Sequence, residues 1–459
     1  MADVIAVTGE DLLDETPPHP VAPLVSAAYR RYALWLLLLI YVVNFIDRQV
    51  INILAEPIKV DLHLADWQLG LLSGFAFGVV YTVLGFPLAR VADRHHRGYL
   101  IAACLAAWSA FTGVCGLAQN FAQLVSARAG VGIGEAGCTP TSHALIADYT
   151  PKEKRASALA FYAMGTPIGT LLGLAIGGAM SDYFGWRRAF LVAALPGLVL
   201  ALIAALTLKE PRHRLAAAAR AAGEATHAGL ATLSETFAYL AKKRAFWLLA
   251  WGAGIRAFLG YGHAAFAPSF FYRCHGPQIT AMAHHFHLRP QTFVGLALGL
   301  IGGVAGTLGS WLGGQIADKW GARDLRVYGS LPAVAVLISA PAALVLYLTP
   351  SVGLALALVG VTNLVGTLWY GPVYASAQGM VPPRMRAMSA SMMLVVINFL
   401  GLVMGALCIG ALSDLLNKGL HLGPAEGVRW ALLVSVLGGL VSAILFWLAR
   451  SRIREEMVS

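Results

Sequence analysis

This sequence has little charge for its length. Only 12% of its 459 residues are Asp, Glu, Lys or Arg, while 58% are hydrophobic. A soluble domain carries roughly twice that charged share. An ordinary water-soluble globule is therefore excluded, and the composition is that of a polytopic membrane protein. Cysteine is scarce too. Cys104, Cys115, Cys138, Cys274 and Cys408 contain no CxxC pair, and four of them lie in apolar runs. Neither a disulfide framework nor a zinc site is supported. There is no G-x-x-x-x-G-K-[ST] phosphate loop, so an ATP-driven pump is unsupported. No spacing argues for a nucleophile and its base, so no enzyme is expected. The histidines His284, His285 and His287, with Cys274 and His275, match no standard metal spacing, and no metal is expected. The first residues lack the basic stretch and short apolar core of a cleavable signal.

Long apolar runs are what the sequence does have. A helix crossing a bilayer core of about 30 Å needs ~20 apolar residues. Twelve segments qualify, near 32–55, 67–89, 99–119, 122–147, 156–180, 188–208, 245–272, 291–316, 327–348, 352–379, 386–412 and 428–450. They lack the alternation that a barrel strand requires. The expected fold is an all-α polytopic membrane protein of twelve transmembrane helices.

The basic residues orient it. With the N-terminus inside, 23 of the 33 Lys and Arg residues fall on cytoplasmic segments. This is the usual bias of cytoplasmic loops. It predicts that both termini are cytoplasmic, in a cell inner or plasma membrane, and it removes the nucleic-acid reading of the net charge of +10. The chain divides into a cytoplasmic tail (1–29), a six-helix half (30–208), a cytoplasmic linker (209–244), a second six-helix half (245–450) and a C-terminal tail (451–459).

The halves repeat. GGAMSD at 177–182 returns as IGALSD at 409–414, and Pro140 returns as Pro372, both at an offset of 232. ARVADR at 89–94 returns as GQIADK at 314–319, an offset of 225. Direct repeats imply a pseudo-two-fold axis along the membrane normal.

Four charges sit inside the first-half spans: Asp47 and Arg48 in the first, Arg128 and Glu135 in the fourth. Each costs about 2.5–3.5 kcal/mol at the bilayer centre. Four unpaired charges would cost on the order of 10–14 kcal/mol, comparable with a whole protein's stability. They must face one another or a wet cavity. Arg128 and Glu135 are seven residues apart and share one face. Neighbours on a helix differ by ~100°, so Asp47 and Arg48 point apart. Asp47, Arg128 and Glu135 are expected to face inward together. They act either as a proton switch or as a static ion network that holds the helices. Asn44 shares a face with Asp47. The second half has fewer internal charges. Arg256 is a candidate phosphate ligand or a snorkelling cation. Thr367 stands at the offset of Glu135, and Trp369 and Tyr370 are candidate tail contacts or core. The glycine rows Gly165, Gly169, Gly173, Gly177 and Gly401, Gly405, Gly410 are expected to form the interface on which the halves rock.

The segment 89–94 with Arg97 and Gly98, its copy 314–319, the Arg128–Gly132 start of the fourth helix and the glycine row of the fifth resemble the major facilitator superfamily. That resemblance implies a gate at Asp93, Arg94 and Asp318. NFIDRQVIN (44–52), with GVGIGEAGCTPTSHALIADYTPKEKRA on the fourth helix and its loop, is similar to the spinster family of lipid transporters. That resemblance implies a lysolipid or sphingosine-1-phosphate-like anion as substrate, alternating access, and proton coupling through Asp47 and Glu135 with Arg128. Asn44, Arg48, Arg128, Arg256, Thr367, Trp369 and Tyr370 are then the candidate substrate contacts. A proton gradient would supply the energy without a cofactor, the partners would be substrate and bilayer lipids, and the chain would act as a monomer. A proton-linked drug or organic-anion transporter of the same fold, and a channel or membrane receptor, are the alternatives.

Overall fold

A computed structural model describes residues 25–151, 154–211 and 232–458. Ten helices in it are long and apolar enough to cross a membrane. In chain order the spanning helices are α1 (Ala27–Ile53), α2 (66–94), α3 (Arg97–Cys115), α4 (121–149), α5 (155–184), α6 (Trp186–Thr207), α7 (Arg244–His285), α8 (Pro290–Gly321), α9 (Val327–Leu348), α10 (352–379), α11 (386–419) and α12 (Gly423–Glu456). α4 and α7 complete the twelve. Both have the length, but Arg128 and Glu135 in α4, and Arg256 and His263 in α7, dilute their apolar character. Outward-facing leucines such as Leu202, Leu206 and Leu437 are more than half exposed. Such a surface is stable only against lipid.

Local chemistry sets the helix ends. Ser26 accepts the Tyr29 N–H at 3.2 Å to start α1, and Asn120 accepts the Gln123 N–H at 3.0 Å to start α4. Proline opens α8 and α12, where its missing N–H costs nothing. α7 is longer than the 245–272 expected from hydropathy. It bends at His275, between Pro268 and Pro277, and runs on to His285. His284 and His285 are therefore its last turn rather than a loop. α2 and α11 each contain a π turn, at Leu71–Phe75 and Phe399–Met404. The two turns touch across the molecule.

Most of the expected linker lies outside the described residues. Its described end forms a short helix, Leu233–Ala241, opened by a Thr232–Glu235 capping box. Most of the 1–29 tail is likewise outside them.

The halves meet along two helix pairs, α2 with α11 and α5 with α8. The glycine rows serve this interface less than expected. A Cβ on Gly165, Gly169, Gly173 or Gly177 would meet α1, and on Gly401 or Gly405 it would meet α7. These rows close each half internally, because the spacing of small residues does not say which neighbour they face. The glycines that admit the other half include Gly70, Gly74 and Gly78 of α2 against α11, Gly410 of α11 against α2, Gly178 of α5 against α8, and Gly295 and Gly299 of α8 against α5.

Candidate functional site: a charged chamber in the first half

α1 and α4 bring the four intramembrane charges together. Arg48 Nε lies 2.7 Å from Glu135 Oε2. The guanidinium is caged by the rings of Phe45, Phe77 and Tyr81, with centroids 4.7–5.3 Å away. A cation over aromatic faces gains from their quadrupoles, more so when desolvated. Arg48 keeps 15% side-chain exposure and Glu135 keeps none. Arg48 is therefore the more accessible of the pair.

Asp47 points the other way, as the helical offset requires. It is fully buried. Glu135 and Arg128 act on its charge, and Trp108 and Thr112 of α3 stand beside it. Among the described residues, neither of its oxygens has a hydrogen-bond partner. The same is true of both Asn44 side-chain atoms, Glu135 Oε1, Trp108 Nε1 and Thr112 Oγ1. Buried polar atoms are normally satisfied by protein or ordered water. A contiguous set of them at mid-depth is a place for water, a proton or a polar ligand group.

Arg128 does not make the ion pair the sequence led us to expect of it. It is 1% exposed, its Nε donates to the Leu72 carbonyl at 3.3 Å, and it lies over Phe77. Arg48 holds Glu135 instead. Helical periodicity gives the angle between neighbours on one helix but not the rotation of α1 against α4.

In the second half, Tyr261 and Tyr370 are each 38% exposed. Trp369 is buried and stacked under Tyr370 at 4.1 Å, so it braces that ring. The Thr367 hydroxyl is taken up by the carbonyls of Gly306 and Asn363, both at 3.0 Å. Arg256 lies in α7 beside Gly366, its Nε without a partner. It borders a cavity of about 50 Å³ shared with His263. His263 bridges Ser435 at 2.8 Å and Tyr347 at 2.9 Å.

The side chains of Asp93 and Arg94 lie outside the described residues. Asp318 is exposed near the end of α8. Instead, a closed cluster appears on the face opposite the termini. Arg273 of α7 donates to both oxygens of Asp66, each at 2.8 Å, and to Glu56 at 2.5–2.9 Å. Lys59 also bonds Asp66, and Ser413 of α11 donates to it at 2.7 Å. Asp66 is fully buried. No motif in the sequence singles out Arg273 or Lys59. An Asp opening an apolar span was the available signal.

This geometry is that of a known architecture. The chain matches the Major Facilitator Superfamily over residues 37–406. It is 33% identical over 426 residues to an MFS-type efflux pump of Mycolicibacterium smegmatis, covering 93% of this chain and 94% of that protein. It is 26% identical to Protein spinster of Drosophila melanogaster over 418 residues, 89% of this chain and 67% of that one. The crystal structure of a bacterial homologue of the human lysosomal transporter Spinster, inward-facing and unoccupied, superposes with a TM-score of 0.82 at 30% identity, covering 95% of this chain and 100% of that one. Twelve spanning helices in two halves, the family match over residues 37–406, and the efflux-pump and Spinster-homologue matches over more than nine-tenths of each chain identify the chain as a membrane transporter of the major facilitator superfamily, with spinster proteins among its relatives.

Proposed function

We propose that the chain moves an amphiphilic anion, of lysophospholipid or sphingosine-1-phosphate type, by alternating access coupled to protons. The observation that carries this is the Arg48–Glu135 pair at 2.7 Å, set beside an Asp47 with no partner. Arg48 alone of the four charges combines a carboxylate partner with partial exposure. An arriving anionic headgroup competes with Glu135 for its guanidinium. A buried carboxylate that loses its cation is strongly disfavoured unless it is neutralised. Taking up a proton at Glu135 or Asp47 therefore accompanies substrate binding, and releasing it accompanies substrate departure. Arg128 balances the charge around Asp47. Tyr261, Tyr370 and Arg256 offer the second half's contacts to the rest of the ligand.

In this reading the termini are cytoplasmic, the membrane is the cell's inner or plasma membrane, the chain acts as a monomer, and the state described is the one open to the cytoplasm. One charge crossing 100 mV is worth about 2.3 kcal/mol, enough to bias the cycle.

A second reading is export of a drug-like or organic anion, favoured by the relative described as an MFS-type efflux pump. Flux of a fluorescent lysophospholipid and of small organic anions into proteoliposomes, with and without a pH gradient, separates the two. Uphill accumulation of the lysolipid driven by the gradient is expected. Accumulation of the small anions alone would replace the lipid reading with the efflux one. Flux that never exceeds equilibrium would defeat both and leave a channel.

A further inference from the structure

A second feature lies on the outer, lipid-facing side of the second half, away from the chamber. The start of α7 and the end of α12 part to leave a groove of about 650 Å³, in the range of ligand sites. Its walls include Arg244, Trp247, Trp251, Leu448 and Arg452.

The groove is ordered by depth. Arg244, Ser451 and Arg452 stand at the helix ends on the termini-bearing face. Trp251 and Ile255 follow along α7, and Leu448 and Leu445 along α12. At 1.5 Å per residue, Ile255 lies roughly 16 Å deeper than Arg244 and Leu445 roughly 10 Å deeper than Arg452. Trp251 and Leu448 are about half exposed. Trp247 is held in place, its indole N–H donating to the Leu240 carbonyl at 3.1 Å, with its ring edge-on to Phe237 of the helix Leu233–Ala241.

The charge is one-sided. Among the described residues, none that lines the groove is acidic. Among the described residues, neither Arg244 nor Arg452 makes an ion pair with a carboxylate. The adjacent Glu456 is already engaged: its carboxylate accepts the Ala245 N–H at 2.9 Å and its carbonyl accepts from Lys243 at 2.8 Å. Two arginines at the membrane surface above an apolar slot complement an anionic headgroup carrying acyl chains. Basic pockets between spanning helices at this depth suit lipid phosphates, and the planar guanidinium fork binds phosphate bidentately.

We infer that this groove is a binding site for an anionic phospholipid of the leaflet on the termini-bearing side. The phosphate sits between Arg244 and Arg452, and an acyl chain lies against Trp251 and Leu448. The site is separate from the transport chamber and does not depend on what the chamber carries.

The test is native mass spectrometry of the purified full-length protein, titrated with phosphatidylglycerol or phosphatidylcholine of matched chains, with glycerol 1-phosphate as a headgroup-only control. Phosphatidylglycerol is expected to be retained at least tenfold more tightly than phosphatidylcholine. R244Q/R452Q is expected to bring that preference near one while W251A weakens retention of both lipids. Equal retention of the two lipids by the unaltered protein would overturn the inference, as would a preference that survives R244Q/R452Q. Glycerol 1-phosphate binding as tightly as the lipid would also overturn it, since the site would then be one for a soluble anion. If the double variant does not fold, the salt dependence of the unaltered protein decides. The preference must shrink between low and high ionic strength, and a salt-independent preference rejects the arginine pair.

Discussion

Asp182 and Asp414 do the same work in the two halves. Asp182, ending a turn of α5, accepts the Thr292 N–H in the first turn of α8 at 2.8 Å. Asp414 of α11 accepts the Trp67 N–H in the first turn of α2, also at 2.8 Å. The carboxylates are 232 residues apart and the donors 225, the two offsets of the sequence repeat. Each places a negative charge from one half on the positive end of a helix from the other, a favourable charge–dipole contact. Together they latch the face opposite the termini. D182A or D414A is expected to weaken this closure by about 0.5–2 kcal/mol, as for a lost cap. A cysteine placed at buried Leu64 on the same face should then react several-fold faster with an impermeant maleimide. Unchanged reactivity in both variants would show that the latch is passive.

Arg273 should matter more. It satisfies both oxygens of a fully buried Asp66 and reaches Glu56 as well. Breaking a buried pair costs about 3–5 kcal/mol, and Lys59, which also bonds Asp66, reduces that. R273A is expected to increase opposite-face labelling by more than either aspartate variant. R273K should recover only part of it, because an ammonium cannot fork across Asp66 and extend to Glu56. Full rescue by lysine would argue for bulk charge over geometry.

The chamber pair gives an asymmetric prediction for stability. R48A leaves Glu135 buried without its cation, so thermal unfolding in detergent should fall sharply, on the order of 3 kcal/mol or more. E135Q removes the charge that needed a partner and should cost less. R48A/E135Q should be more stable than R48A alone, a coupling visible in a double-mutant cycle. Additive losses would mean the two residues do not depend on each other.

D47N removes a buried charge that has no hydrogen-bond partner among the described residues, so it should fold with an unfolding temperature near the parent's. Its proton-driven flux should fall by at least tenfold and lose its pH dependence. A pH profile in D47N superimposable on the parent's would remove Asp47 from the proton route.

Sequence alone made much of this legible, for particular reasons. Twelve spans are readable because ~20 apolar residues in a row have few other uses. The halves are readable because the offsets recur, and Asp182 and Asp414 show that contacts recur with them. The opposed directions of Asp47 and Arg48 follow from helix geometry. What stayed hidden is relative placement. The pairing of Glu135 with Arg48 rather than Arg128 depends on how α1 is turned against α4. The Arg273–Asp66–Glu56 cluster joins residues 207 and 217 positions apart. The rows beginning at Gly165 and Gly401 announce close packing without saying on what.

The π turns of α2 and α11 have one more consequence. A π turn widens the helix and loosens its hydrogen-bond ladder, and these two bear on each other where the halves cross. Arg128 Nε reaches into the first of them and holds the Leu72 carbonyl at 3.3 Å, while its charge acts on Asp47. The contact between the halves and the buried charge cluster thus share a side chain. A change of charge at Asp47 is felt by the same guanidinium that holds the π turn of α2.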